Sequence, residues 1–339
     1  MLRPDAPLVF VAGAPRSGTT FLTSVLRAHP LLHVHTELRV LELAGIAGAT
    51  ARLGVHGITD AYNAVDLQLG RPYVLDVLKR LQDQAGAAVT GDKFPPYNRQ
   101  LPVLRVLFPD CKVIHILRDG RDVVASAMYA QATGKGWRKE PILRGVPELA
   151  GRWADDIAEA FRRAVPFGDC VLHLRYEYLI AHPVDVADRL CAFLDLPISP
   201  ALRQAAQGAR AERSWRTTLS PAEQETFRTT PNVELLLQRL GYPPTPAHPD
   251  ACDTVEVCLA EAAATQDPRS AAMALLRGLR LSPKEPRLLR ALLARSQSPA
   301  SHQAALIARA LPGFESDLGR WSQDQGVPPP LAEALWGLQ

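Results

Sequence analysis

Apolar residues along the chain alternate between short continuous runs and longer stretches with helical spacing. Leu8 to Ala12 is a continuous apolar run that leads into a glycine-bearing turn and predicts a buried strand. Thr19 to Ala28 has the spacing of a helix and stops at His29-Pro30. Leu32 to His35 predicts a short strand, and Glu37 to Leu43 the start of another helix. Pro72 suits the first turn of a helix running to about Gln84, with Val74, Leu75, Leu78 and Leu81 spaced for one face. A short apolar segment, Ala87 to Val89, is followed by a turn, GDKFPP, and a helix from about Asn98 to Leu107. KVIHIL, Lys112 to Leu117, is a clear strand that ends at Arg118. Asp119 is placed to cap a helix over Arg121 to Ala130, and a long helix with Trp153, Ile157 and Phe161 on one face precedes a strand at Cys170 to Leu174. This alternation predicts an α/β fold, a mostly parallel central sheet flanked by helices.

The pattern breaks at YPPTPAHPD, from Tyr242 onward, and everything after it is helix-like. Segments near 252 to 265, 268 to 281, 284 to 296 and 299 to 311 are rich in Ala, Leu and Arg and separated by prolines. The stretch AAMALLRGLRLSPKEPRLLRALLARS looks like part of a tetratricopeptide-type helical hairpin. The expected division is a domain at 1–245 and an all-helical C-terminal domain, TPR-like, at 246–339.

Composition narrows the function classes. The 339 residues are 47% apolar and 22% charged, an ordinary globular balance. Lys plus Arg (38) exceeds Asp plus Glu (35) by only three, so no nucleic-acid partner is expected and a small anionic ligand accounts for the excess. The five cysteines, Cys111, Cys170, Cys191, Cys252 and Cys258, are scattered and without C-x-x-C spacing, which predicts buried free thiols in a reducing compartment. No secretory signal and no window of about 20 uncharged apolar residues is visible, so the expectation is a soluble cytoplasmic protein with no membrane contact.

The chemistry begins at VFVAGAPRSGTTFL. Gly13, Gly18 and Thr20 fit the phosphate-loop pattern G-x-x-x-x-G-K-[ST], but Thr19 stands in the lysine position. A glycine-rich turn between strand and helix aims backbone N–H groups and the positive helix end at an anion. Ser17, Gly18, Thr19 and Thr20 supply donors there, and the loop's charge has moved to Arg16. After the strand KVIHIL comes Arg118, where a nucleoside triphosphatase often places a metal-holding aspartate. Ser126 lies eight residues further on, so its hydroxyl and the Arg118 guanidinium are placed to share one phosphate. The pattern suits a nucleotide with two separated anions and no magnesium.

These residues resemble the sulfotransferases that use 3′-phosphoadenosine 5′-phosphosulfate, over roughly Val9 to Tyr242. PRSGTT, Pro15 to Thr20, looks like their loop for the 5′-phosphosulfate, and LRDGRDVVAS, Leu117 to Ser126, looks like their 3′-phosphate signature. LRYEYLIAHP resembles the segment whose tyrosine lies by the adenine, which points to Tyr176. RSWRTTLSP resembles a segment near the donor's phosphate end in many bacterial members, and implicates Arg213, Trp215 and Arg216. The resemblance implies a donor of that kind, adenosine 3′,5′-bisphosphate as product, and no metal.

An acceptor hydroxyl must lose its proton as it attacks sulfur. Small-molecule members use a histidine in K-T-H; here GDKFPP matches the lysine with Lys93 but has Pro95 at the histidine. From Pro15 to Arg39 the chain is similar, without a gap, to tyrosylprotein sulfotransferases, whose base is a glutamate in E-E-T-R. TELR puts Glu37 at that position. Leu38 and Ala130 depart from their pattern. His33, His35 and Asp92 are the other candidates for the base, Glu37 otherwise being a first-turn helix acid. The resemblance implies that Glu37, Lys93 and Arg16 are catalytic, and that the acceptor is a small molecule or peptide with a hydroxyl. The helical tail is assigned to a homodimer, carrier or peptide contact. The competing functions are a P-loop kinase or triphosphatase, disfavoured by Thr19 and Arg118, and a nucleotide-binding scaffold without turnover.

Overall fold

The computed structural model describes residues 8–53, 64–133, 145–208, 214–248, 254–282 and 285–294. Strands β1 (Val9–Gly13), β2 (Leu32–Thr36), β3 (Val89–Lys93), β4 (Lys112–Leu117) and β5 (Val171–Arg175) form one parallel sheet in the order β2-β3-β1-β4-β5. Between them run helices α1 (Thr19–Arg27), α2 (Val40–Leu53), α3 (Ala64–Ala85), α4 (Tyr97–Leu107), α5 (Gly120–Thr133) and α6 (Val146–Ala164). After β5 come α7 (Tyr176–Ala181), α8 (Pro183–Phe193), α9 (Pro200–Gln207), α10 (Trp215–Thr218), α11 (Pro221–Thr229), α12 (Val233–Arg239), α13 (Val255–Ala264), α14 (Pro268–Leu281) and α15 (Pro286–Leu293).

The chain forms two compact units, Met1–Val123 with Trp153–Glu212, and Val124–Arg152 with Arg213–Gln339. In the first, β1 lies at the centre of the sheet, and helices cover both faces, so its apolar run is continuous rather than alternating. Val9 and Val11 join one core with Leu22 and Leu26 of α1 and Val186 and Leu190 of α8. Phe10 and Ala12 join the other with Val74 and Leu78 of α3 and Leu101 and Leu104 of α4. In the second unit, α13, α14 and α15 bury Cys258, Ala262, Leu275, Leu279, Leu288 and Leu292 together. There the buried Arg277 pairs with Glu261 and stands 3.9 Å from Glu223.

Three expected boundaries shift. Pro72 lies inside α3 rather than at its first turn. An internal proline loses one hydrogen bond, but the helix seats Leu67 as well as Val74, Leu75 and Leu78 against the core, on both sides of the proline. The GDK of the expected turn belongs to β3. Gly91 is there because a Cβ would run into the Val9 carbonyl of β1, so the glycine marks a close strand approach and not a turn. The helix after β2 begins at Val40, not Glu37. Cys111, Cys191 and Cys258 are buried free thiols and Cys170 is a half-buried one; Cys252 and the segment at 299 to 311 lie outside the described residues.

Candidate active site

In a parallel sheet every strand ends at the same edge, and the crevice lies where neighbouring strands send their connections opposite ways. Here β1 connects outward to β2 and β4 to β5, on opposite sides of the β1–β4 pair. The sequence-assigned residues of the first unit all sit along this edge. Arg16 and Ser17 follow β1, Glu37 follows β2, Lys93 ends β3, Arg118 follows β4 and Tyr176 follows β5.

The loop after β1 has the geometry of an anion cradle. Arg16 has φ 73° and Gly18 φ 98°, so the chain doubles back and brings the start of α1 under the turn, with no side chain capping that helix. The Ser17 hydroxyl is fully buried and has no hydrogen-bond partner among the described residues, as expected of a donor kept for a ligand. A Cβ on Gly18 would lie 2.6 Å from the Tyr176 ring, so glycine is required both for the left-handed φ and for the packing. Thr19 is buried and accepts a bond at its carbonyl from the Thr23 hydroxyl (2.8 Å), while Thr20 is exposed.

Arg118 completes this corner. Its guanidinium lies over the Tyr176 ring, 4.5 Å from the centroid, and its Nη1 donates to the Arg16 carbonyl at 3.3 Å. Trp153 Nε1 donates to the Arg118 carbonyl at 3.2 Å, and Glu177 accepts from the Asp119 N–H at 2.8 Å. Asp119 accepts from the Arg121 N–H and guanidinium, so Arg121 is a buried partner within its own turn. Tyr176 is only 5% exposed and forms the floor under Gly18 and Arg118. An uncapped helix start, a buried hydroxyl and a guanidinium stacked beside them make a donor set suited to a phosphate-like dianion.

Along the same edge Lys93 Nζ donates to Glu37 Oε1 at 3.0 Å. The lysine side chain is 3% exposed and the glutamate 47%, so the pair points a buried cation at a carboxylate open to solvent. Glu37 has φ 59° and precedes α2, so it is not a first-turn helix acid. Asp92, the alternative carboxylate, is fully buried and accepts from Tyr97 Oη (2.7 Å) and the N–H groups of Leu38 and Arg39 (both 3.0 Å). Burial raises its pKa and these bonds oppose that rise. Tyr97 was not singled out from sequence; the only trace was an aromatic hydroxyl opening the apolar face of α4.

His33 and His35 alternate on β2, an edge strand, with rings 4.6 Å apart. Burial lowers both pKa values, that of His35 to about 4 with help from the neighbouring His33 and Arg27 charges. Among the described residues no three His, Cys, Asp or Glu gather as metal ligands. In the second unit, Ser126 is half-buried on α5, and Trp215 is buried with the Arg216 guanidinium 4.5 Å above its ring. Arg213 lies outside the described residues.

Residues 7–200 match the sulfotransferase family. Protein-tyrosine sulfotransferase 1 of Danio rerio is 27% identical over 269 residues, 71% of this chain and 73% of that protein. Protein-tyrosine sulfotransferase 2 of Gallus gallus is 25% identical over 281 residues, 73% of each. Among solved structures, the sulfotransferase domain of the Synechococcus olefin synthase is similar with a TM-score of 0.46 and 22% identity, over 72% of this chain and 98% of that one. The relatives overturn the expectation of a cytoplasmic protein, since tyrosylprotein sulfotransferases are Golgi enzymes. That expectation rested on the lack of a visible leader or span, which does not decide a compartment. None of the described helices is long and apolar enough to cross a membrane.

Proposed function

We propose, because the chain belongs to the sulfotransferase family, that it moves the sulfuryl group of 3′-phosphoadenosine 5′-phosphosulfate to the hydroxyl of a tyrosine in a protein or peptide. The observation that carries this reading is the Lys93–Glu37 pair, 3.0 Å apart, on the sheet edge that also carries the Arg16–Thr20 loop and Arg118. The tyrosine acceptor is supported by the names of the curated relatives.

In the proposed reaction the phenolic oxygen attacks sulfur, the bond from sulfur to the 5′-phosphate oxygen breaks, and the phenolic proton passes to Glu37. Lys93 and Arg16 stabilise the charge that develops on the sulfuryl oxygens and the leaving phosphate. Ser17, Gly18, Thr19 and Thr20 hold the 5′ end of the donor. Arg118 and Ser126 are assigned to the 3′-phosphate, Tyr176 to the adenine side, and Arg213, Trp215 and Arg216 to the phosphate end, each by resemblance. We assign transfer to residues 1–245 and partner contact to the helical residues 246–339.

The test is a labelled-donor transfer screen across tyrosine peptides, sugars, phenols and lipids, with the whole chain and with residues 1–245. Label on tyrosine peptides from both proteins is expected. Transfer to sugars, phenols or lipids alone would remove the tyrosine assignment.

A further inference from the structure

The turn that carries Glu37 is held in a conformation its own residues disfavour. Glu37 and Arg39 have φ of 59° and 56°, in the left-handed region. Such residues persist only where the surrounding structure over-determines them. Here it does. Four consecutive N–H groups of the turn all donate to β3 and the start of α4. Glu37 N–H reaches the Lys93 carbonyl at 2.8 Å, Leu38 N–H reaches Asp92 Oδ1 and Arg39 N–H reaches Asp92 Oδ2 at 3.0 Å, and Val40 N–H reaches Tyr97 Oη at 2.9 Å. Tyr97 Oη then donates to Asp92 Oδ2 at 2.7 Å, and both residues are fully buried.

A helix start needs acceptors for its first N–H groups, but a serine, threonine or aspartate in the turn itself supplies them cheaply and without left-handed residues. In this chain the acceptor is a buried carboxylate on another strand, more than fifty residues away in sequence. Desolvating a carboxylate is costly, and it is placed beside the residue that holds the proposed base. Consecutive residues of β3 divide the work. Asp92 takes the backbone of the turn, and Lys93 takes the Glu37 side chain. The same Oδ2 atom that receives Arg39 also receives Tyr97, so the hydroxyl orients the carboxylate as well as accepting from Val40.

We propose that Asp92 and Tyr97 are positioning residues for sulfuryl transfer, locking the left-handed turn so that the Glu37 carboxylate is presented at Lys93. This rests on the reading of Glu37 as the base. Neither residue touches the acceptor; both act through Glu37. Asp92→Asn replaces one acceptor oxygen by a donor nitrogen and cannot satisfy Leu38, Arg39 and Tyr97 together. Tyr97→Phe keeps the ring and removes only the hydroxyl.

Both variants, with Glu37→Gln and the double variant Asp92→Asn/Glu37→Gln, are compared in the full chain. The readouts are kcat and KM with a tyrosine peptide as acceptor, calorimetric binding of adenosine 3′,5′-bisphosphate, and hydrogen exchange of amides 37–40. Misplacing a reacting group by about 1 Å costs on the order of 10²-fold in rate. We expect Asp92→Asn and Tyr97→Phe to lower kcat about 10- to 100-fold and to speed exchange at 37–40. Bisphosphate affinity should stay within about two-fold, and the double variant should be no slower than Glu37→Gln alone, as for residues acting as a unit. A slow Glu37→Gln beside fully active Asp92→Asn and Tyr97→Phe overturns the positioning role alone. Loss of bisphosphate binding in step with kcat, or full additivity in the double variant, also overturns it. A fully active Glu37→Gln overturns the base assignment itself.

Discussion

Lys93 and Glu37 are an unequal pair, one side chain 3% exposed and the other 47%. The buried partner is fixed by the strand, whereas the carboxylate is open to solvent. Glu37→Gln keeps the shape and one acceptor oxygen but cannot take a proton, so kcat should fall on the order of 10²-fold or more while adenosine 3′,5′-bisphosphate binds as before. Single-turnover transfer and calorimetry separate the two. Arg118→Ala should do the reverse. It removes a guanidinium that bonds the Arg16 carbonyl and stacks on Tyr176, and charge-assisted bonds are worth about 1.5–3 kcal/mol, so bisphosphate affinity should fall about 10- to 100-fold. Unchanged affinity would remove Arg118 from the donor site. Arg16, Ser17 and Arg118 were legible in the sequence because their spacing specifies a local backbone, a strand end and a tight turn. Glu37 was legible only by resemblance, and the helix-start alternative fell because its φ is left-handed. Asp92 with Tyr97 was not legible as a unit, since a side chain bonding to backbone across the sheet leaves no periodic mark.

At the level of elements, the five strands and the helices between them follow from apolar runs and helical spacing, and the failures share one cause. Gly91 and Pro72 read as punctuation in the sequence, whereas tertiary packing decides both. If Gly91 is set by the nearness of β1, Gly91→Ala should force β3 away from Val9 and destabilise the fold by several kcal/mol, about 3 or more, seen as a large drop in denaturant midpoint. A stability close to the parent's would show that β3 yields without cost. The β4–β5 pair carries a second test. His115 and His173 are register partners whose Nδ1 atoms lie 3.0 Å apart, one ring donating to the other. Burial, then the neighbouring His173, pushes the fully enclosed His115 down to about 3, and burial also lowers His173. Both rings therefore bind protons more weakly folded than unfolded, where the ordinary value is 6.5. The sign follows from linkage: stability is at its plateau above about pH 6.5 and declines as the pH falls toward 3. Between about pH 6 and 5 most carboxylates are still ionised, so a slope in that window belongs to imidazoles. Denaturant unfolding across it should show that slope in the parent and a shallower one in His115→Gln.

For the whole molecule, the arrangement of charge separates sulfuryl transfer from phosphoryl transfer on a related sheet. A triphosphatase needs a lysine in its loop and a carboxylate beyond a second strand to hold magnesium against the β and γ phosphates. This chain has Thr19, buried, at the first position and Arg118 at the second. A cation at the end of β4 disfavours a divalent ion and favours a phosphate, and in the proposed reading the uncapped start of α1 with the buried Ser17 hydroxyl takes a second anion. In that reading the two sites take a nucleotide whose anions are separated by the ribose rather than joined in a chain. Calorimetry on the full chain should therefore give the same affinity for adenosine 3′,5′-bisphosphate with magnesium or with excess EDTA, and at least about ten-fold weaker binding of ATP under both conditions, the cost of roughly one unmade charge-assisted bond. ATP binding that tightens with magnesium and exceeds that of the bisphosphate would overturn the reading of both strand ends at once, because Thr19 in place of the loop lysine and Arg118 in place of the metal carboxylate are both read as marks of a site without magnesium.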